Sequence, residues 1–227
     1  MIGFYDYTVI LTYLSLISAS CGTMVALNGA GHPYIGTFFL LFCGLCDAFD
    51  GKVARSKKDR SQAERSFGVQ IDSLSDLVAF GVLPAAIGSA MFRRSSLLPL
   101  IYGTPWDRSV GVGVMAILML YILAAMIRLA WYNVTEEERQ KTEDGVRKYY
   151  TGLPVTSSAL IFPLILLLQY VIPADVTPVY FAVAVFCAIA FLSPVQIRKP
   201  GLRGVLILVG IGAVEFLLML IGRILRH

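Results

Sequence analysis

Four aspartates stand where apolar sequence should exclude them. One apolar stretch ends in Asp47-Ala48-Phe49-Asp50-Gly51-Lys52-Val53-Ala54-Arg55, and the next opens with Gly68-Val69-Gln70-Ile71-Asp72-Ser73-Leu74-Ser75-Asp76. On a helix, residues three apart lie about 60° around the axis and residues four apart about 40°. Asp47 and Asp50 therefore share one face, as do Asp72 and Asp76. If the two helices are joined by a polar link, their ends are neighbours and all four carboxylates can meet in one pocket. An ionised carboxylate at membrane depth costs several kcal/mol unless it is paired or bound to metal. Two divalent cations would cancel the repulsion of four. An all-oxygen donor set points to hard ions, Mg²⁺ or Mn²⁺. The competing reading is a set of salt bridges to Lys52, Arg55 and Arg128.

The residues between the aspartates bear on what such a pocket would hold. Gly51 and Ala54 leave room for a flat ligand to press on the helix backbone, and Gly68, one turn before Asp72, can do the same. Close helix packing is the alternative use of small residues in membranes. Arg55 can grip a phosphate in bidentate fashion or anchor a helix end in water.

These residues need helices that cross a bilayer, and the composition supplies them. The 227 residues are 57% hydrophobic and only 15% charged, with a mean hydropathy of +0.73. Soluble domains carry about 25% charged residues. A span needs about 20 apolar residues, and seven segments qualify or nearly do: 6–29, 33–55, 70–92, 110–132, 153–172, 177–194 and 204–225. Residues 29–31 and 173–175 read as tight turns, and 56–70 and 133–151 as the longer polar connections. The whole chain, 1–227, reads as a single all-α transmembrane catalytic domain. With the N-terminus in the cytoplasm, 14 of the 19 Lys and Arg fall on the inner side and five outside, as the positive-inside rule expects. Both polar connections are then cytoplasmic, and a plasma-membrane location is expected.

Other chemistry is excluded or reads as packing. Two histidines, His32 and His227, allow no histidine-rich metal site. Cys43 and Cys46 form a C-x-x-C inside an apolar helix, where small buried packing residues are expected. No basic tail or Arg-rich helix suggests nucleic acid.

The pattern D-x2-D-G-x2-A-R…G-x3-D-x3-D resembles the signature of the CDP-alcohol phosphotransferase family. Its eight positions are Asp47, Asp50, Gly51, Ala54, Arg55, Gly68, Asp72 and Asp76. One departure is the 12-residue gap from Arg55 to Gly68, longer than the family's usual spacing, which reads as a lengthened loop. The resemblance implies a six-helix core over about 6–194, usually homodimeric, with the active site open to the cytoplasm; the helix at about 204–225 would be an addition. It implies that Asp47, Asp50 and Asp72 are metal ligands, and that Asp76 touches a metal and acts as general base. Gly51, Ala54 and Arg55 are implied to hold the CDP portion of CDP-diacylglycerol.

Three further stretches resemble the branch of the family that uses L-serine: Asp72–Gly81, Arg128–Asn133 and Tyr150–Val155. Relatives that take inositol phosphate typically carry Arg directly after the fourth aspartate, where this chain has Leu77. Serine has no phosphate, and its carboxylate needs one cation, for which Arg128, Arg147 and Lys148 are candidates. For Arg128 the equal alternative is snorkelling at a helix end. Other acceptors, such as glycerol 3-phosphate, inositol or inositol phosphate, would use the same chemistry. A divalent-metal transporter is the rival from another class, because intramembrane carboxylates also mark ion paths. Glu215, in the extra helix, has no role in any of these readings.

Overall fold

The computed structural model describes residues 3–142, 149–198 and 201–225, and its regular structure is almost wholly helical. A short 3-10 turn, Tyr7–Val9, leads into α1 (Ile10–Leu27), followed by α2 (Pro33–Ser56). A continuous rod follows, made of α3 (Gln62–Asp76), a π-helical stretch Leu77–Val82 and α4 (Leu83–Arg94). Next come the short α5 (Leu98–Ile101), the long α6 (Asp107–Thr142), α7 (Ser158–Val171), α8 (Thr177–Leu192) and α9 (Leu202–Leu225). Five helical rods are long and apolar enough to cross a membrane, and two shorter apolar helices, Val155–Val171 and Thr177–Leu192, pack among them. The protein is an integral membrane protein of the expected all-α class.

Two boundaries differ from the sequence expectation, both where polar sequence looked like loop. The third rod starts at Gln62, inside the connection expected over 56–70. Ser61 accepts from the Glu64 amide, and the Glu64 carboxylate accepts from the Ser61 amide at 2.6 Å, a complete capping box. The fourth rod runs on to Thr142, well into the connection expected over 133–151. Glu136–Arg139 and Glu137–Lys141 pairs lie along that extension, and pairs at this spacing support an exposed helix.

The hydrophobic core lies where α2 and the α3–α4 rod meet α1, α6, α7 and α8. Leu40, Phe80, Leu83, Ile87, Tyr121, Phe162 and Tyr180 are all buried there. α2 reaches its neighbours through small residues. A Cβ on Gly44 would lie 2.6 Å from the Ala159 Cβ of α7, and one on Gly22 of α1 would lie 2.6 Å from the Phe39 Cβ of α2. With little hydrophobic drive between helices in lipid, such close approach is what holds them together. At the far end of this pair, Gly31 has φ +94 and sits against Ala90, so both conformation and space require glycine there.

The π-helical stretch begins immediately after Asp76 and has a covalent cause. Pro84 has no N–H, and its ring collides with the carbonyl four residues back, that of Phe80. The helix widens, with the Leu83 amide bonding Val78 O five residues earlier. The Phe80 carbonyl is met from α6, where the Tyr121 hydroxyl donates to it at 2.6 Å. Ser158 Oγ of α7 lies 2.7 Å from the same hydroxyl and, that proton being used, acts as the donor. Tyr121→Phe removes both bonds in a fully buried place. It should lower stability by about 1–3 kcal/mol, read as a lower unfolding midpoint in detergent; an unchanged midpoint would show that the widened turn does not depend on Tyr121.

The remaining sequence outliers are also placed. Cys43, Cys46 and Cys187 are buried and free, and Cys43 Sγ lies 3.4 Å from Ser15 O, as packing residues should. Cys21 is exposed on α1 instead. α9 lies along α2 and α7 with most of its surface outward. Glu215 faces inward from it at 5% exposure, and its Oε2 has no hydrogen-bond partner among the described residues.

Candidate active site

Asp47 and Asp50 arrive on the last turns of α2, and Asp72 and Asp76 on the last turns of α3 before the helix widens. The hairpin between the helices brings the pairs together. The carboxyl groups of Asp50 and Asp72 come within hydrogen-bonding reach of each other. Asp47 and Asp76 lie close enough to interact electrostatically with this pair. Asp76 is the deepest, at 8% exposure. Beside it, Ser75 Oγ donates to Thr12 O of α1 at 3.1 Å, which fixes the rotation of this last turn.

The competing salt-bridge reading does not describe this cluster. Among the described residues, no ion pair reaches any of the four aspartates. Lys52 lies over the Phe49 ring at 5.0 Å, and Arg128 over the Tyr132 ring at 5.5 Å. Four carboxylates from two helix ends, with no basic partner among the described residues, are a donor set suited to a hard cation. Among the described residues, though, no three His, Cys, Asp or Glu side chains are drawn tightly enough together to hold a metal ion as they stand. The chemistry of the donors fits; closure around an ion would have to come with binding.

The small residues lie beside this cluster, each covered by a guanidinium. A Cβ on Gly51 would meet Arg55 Nη1 at 3.2 Å, so Arg55 folds back one turn over Gly51. A Cβ on Gly68 would meet Arg60 Nη2 at 2.6 Å. Arg60 Nη1 also reaches the Ala54 carbonyl at 3.5 Å. Arg60 sits in the lengthened loop and has no place in the signature, so the motif alone could not single it out.

That loop is tied down on its other side. Lys57 Nζ bridges Asp6 at 2.6 Å and Glu64 at 2.7 Å. The hydrogen bond from Lys57, with a second from Thr8, holds the Asp6 carboxyl down at about 2, below the usual carboxylate range. Phe4 packs edge-on against Phe67 with ring centroids 5.5 Å apart. The N-terminal segment therefore braces the hairpin that carries both aspartate pairs.

The three stretches that resemble the serine-using branch converge on the same end. Asn133 Nδ2 of α6 donates to Ser73 Oγ, next to Asp72, at 2.7 Å. Tyr132 packs against Tyr150 with centroids 5.9 Å apart. Tyr150 lies in β1 (Tyr149–Thr151), which pairs antiparallel with β2 (Gln196–Arg198) in the register Tyr150 to Ile197. Gly152 follows with φ +78 and would place a Cβ 2.6 Å from Phe191 O, so no other residue fits this corner. Arg128 is 5% exposed, a packed position rather than a snorkelling one. Arg147 and Lys148 lie outside the described residues.

Comparison with known proteins gives a consistent picture. A protein of Saccharomyces cerevisiae named CDP-diacylglycerol–serine O-phosphatidyltransferase is 36% identical over 138 residues, 60% of this chain and 43% of the relative. A Helicobacter pylori protein of the same name is 26% identical over 189 residues, 81% of this chain and 68% of the relative. The archaetidylserine synthase of Methanothermobacter thermautotrophicus is 31% identical over 153 residues, 65% of this chain and 53% of the relative. The chain thus spans less than half the length of the yeast relative and about half that of the archaeal one. No solved structure matches it. Residues 8–196, everything from the first turn to the start of β2 and excluding α9, match the description CDP-alcohol phosphatidyltransferase, and the chain belongs to that family.

Proposed function

We propose that this chain transfers the phosphatidyl group of CDP-diacylglycerol to the hydroxyl of L-serine, giving phosphatidylserine and CMP. The observation that carries the reading is the meeting of Asp47, Asp50, Asp72 and Asp76, with no basic partner among the described residues, beside small residues covered by Arg55 and Arg60. Serine as the acceptor is supported by the relatives' names and by Leu77 directly after Asp76. It is also supported by the convergence of Ser73, Arg128, Tyr132, Asn133 and Tyr150.

In the proposed reaction the serine hydroxyl oxygen bonds to the phosphorus that carries the diacylglycerol. The bond from that phosphorus to the bridging oxygen breaks, and CMP leaves with the electron pair. Asp76 accepts the hydroxyl proton. Asp47, Asp50, Asp72 and Asp76 would hold Mg²⁺ or Mn²⁺, two ions per site, and bound metal would supply charge stabilisation on the pyrophosphate. Gly51, Ala54 and Gly68 let the nucleotide approach the helix backbone, and Arg55 grips a phosphate. Arg128 is the candidate for the serine carboxylate, with Arg147 and Lys148 as further candidates. The lipid chains stay in the bilayer while serine and the nucleotide meet at its cytoplasmic face. With the N-terminus cytoplasmic in the plasma membrane, the basic residues fall mainly on that side. The working unit is a homodimer in which residues 1–227 form one catalytic domain.

Purified protein with CDP-diacylglycerol and Mn²⁺ or Mg²⁺ should release CMP with serine, and not with glycerol 3-phosphate, inositol or inositol phosphate. Release with another of these alcohols would keep the chemistry and overturn serine. No release with any acceptor, from folded protein, would return the chain to the transporter reading.

A further inference from the structure

Arg60 is an unusual cation for its loop. The link carries two acids, Asp59 and Glu64; Glu64 is held by Lys57, and Asp59 makes no ion pair with Arg60 among the described residues. Lys57 Nζ holds both Asp6 and Glu64, and the second Glu64 oxygen accepts from the Ser61 amide. Among the described residues Arg60 bonds only main-chain oxygens. Nη2 donates to Glu64 O at 3.0 Å and Nη1 to Ala54 O at 3.5 Å, while its Nε is buried with no hydrogen-bond partner among the described residues. Among those residues no carboxylate pairs with it. A guanidinium with no carboxylate paired to it and with a buried N–H lacking an acceptor is incomplete. Its place is specific: Nη2 lies where a side chain on Gly68 would be, and Nη1 reaches the backbone of Ala54. Across the hairpin, Arg55 covers Gly51 in the same manner.

We propose that Arg60 is a substrate-binding residue, carried by the lengthened loop, that contacts the pyrophosphate of the CDP-lipid from the α3 side while Arg55 contacts it from the α2 side. This rests on the reading of Gly51, Ala54 and Gly68 as the nucleotide's place. Two guanidinium forks from opposite walls suit an extended, multiply charged diphosphate better than a single phosphate or a neutral base. The longer gap between Arg55 and Gly68 then has a use: it supplies a second arginine to the cradle, and the Asp6–Lys57–Glu64 bridge keeps the Glu64 carboxylate from pairing with it.

The full chain in detergent, with Mn²⁺ present, is titrated with CDP and separately with cytidine. Wild type is compared with Arg60→Gln, Arg60→Lys and, as a control on an exposed neighbour, Lys58→Gln. Arg60→Gln should weaken CDP about tenfold or more and leave cytidine unchanged, with a matching rise in KM for CDP-diacylglycerol and none in KM for serine. Arg60→Lys should recover part of the loss, and it also serves if the glutamine variant does not fold. Lys58→Gln should bind CDP as wild type does. Equal CDP affinity in Arg60→Gln, tighter CDP binding, or an equal loss of cytidine would each overturn the proposal, leaving Arg60 as a staple between loop and helix. Folded wild type that binds no CDP would overturn the nucleotide reading itself, a result distinct from loss confined to the Arg60 variants.

Discussion

Asp76→Asn should give a folded protein that binds CDP and releases almost no CMP from CDP-diacylglycerol and serine. Asparagine keeps the shape of the side chain and its fit in a position only 8% exposed, so packing is preserved. It cannot accept the proton of the attacking hydroxyl, and it is a weaker ligand for a hard cation. Loss of a general base costs about 10²- to 10⁴-fold, and the lost charge near the pyrophosphate adds to that. The location sharpens the expectation. Asp76 is the last residue before the widened turn, whose rotation is held by the bonds from Ser75 to Thr12 and from Tyr121 to Phe80. The carboxylate is thus presented by a fixed backbone, and a neighbour cannot swing in to replace it. CMP release and CDP binding, measured on one preparation, separate the two roles. Turnover within tenfold of wild type would remove Asp76 as the base, and joint loss of CDP binding and turnover would make it chiefly a ligand.

The aspartate pairs, their convergence at one end of the molecule and the helical class were legible because each rests on local rules. Spacing along a helix puts Asp47 with Asp50 and Asp72 with Asp76 whatever surrounds them. Signals for the helix extensions were also present, in Ser61-x-x-Glu64 and in the acid–base spacing of Glu136 to Lys141. They were outweighed by the expectation that polar stretches between spans are loops. The π-helical stretch was not legible: Pro84 announces a defect, but whether a helix kinks or widens depends on what meets the freed carbonyl. Here that is Tyr121, 41 residues beyond Phe80 in the chain. Arg60 was missed for a similar reason. Its charge resembled any other loop charge until the structure showed Lys57 holding Glu64 and no carboxylate paired with Arg60 among the described residues. Glu215 is legible as an anomaly in both sequence and structure, and the structure adds only that it is buried, on a helix that packs along α2 and α7.

Asp50→Asn should make the metal-free protein more stable and abolish both activity and the stabilisation that metal confers. Asp50 and Asp72 approach within hydrogen-bonding reach from different helices, with Asp47 and Asp76 close behind and no basic partner among the described residues. Two ionised carboxylates about 4 Å apart repel by about 4 kcal/mol at an effective dielectric of 20. The folded state must absorb that repulsion or protonate one of the groups. A neutral amide at position 50 removes it and can donate to Asp72, so the unfolding midpoint in chelator should rise. In wild type a bound divalent cation would do the same work by binding only the folded arrangement, worth about 2.7 kcal/mol at 100 times its Kd. Thermal melts of wild type and Asp50→Asn, each in EDTA and in excess Mn²⁺, give the four values needed. Wild type should shift upward with Mn²⁺ and the variant hardly at all, starting from a higher metal-free midpoint. An equal Mn²⁺ shift in both would take Asp50 out of the ligand set. A lower metal-free midpoint in the variant would mean that the Asp50–Asp72 contact is a shared proton holding α2 to α3, and that the cluster is built to be stable before any metal arrives.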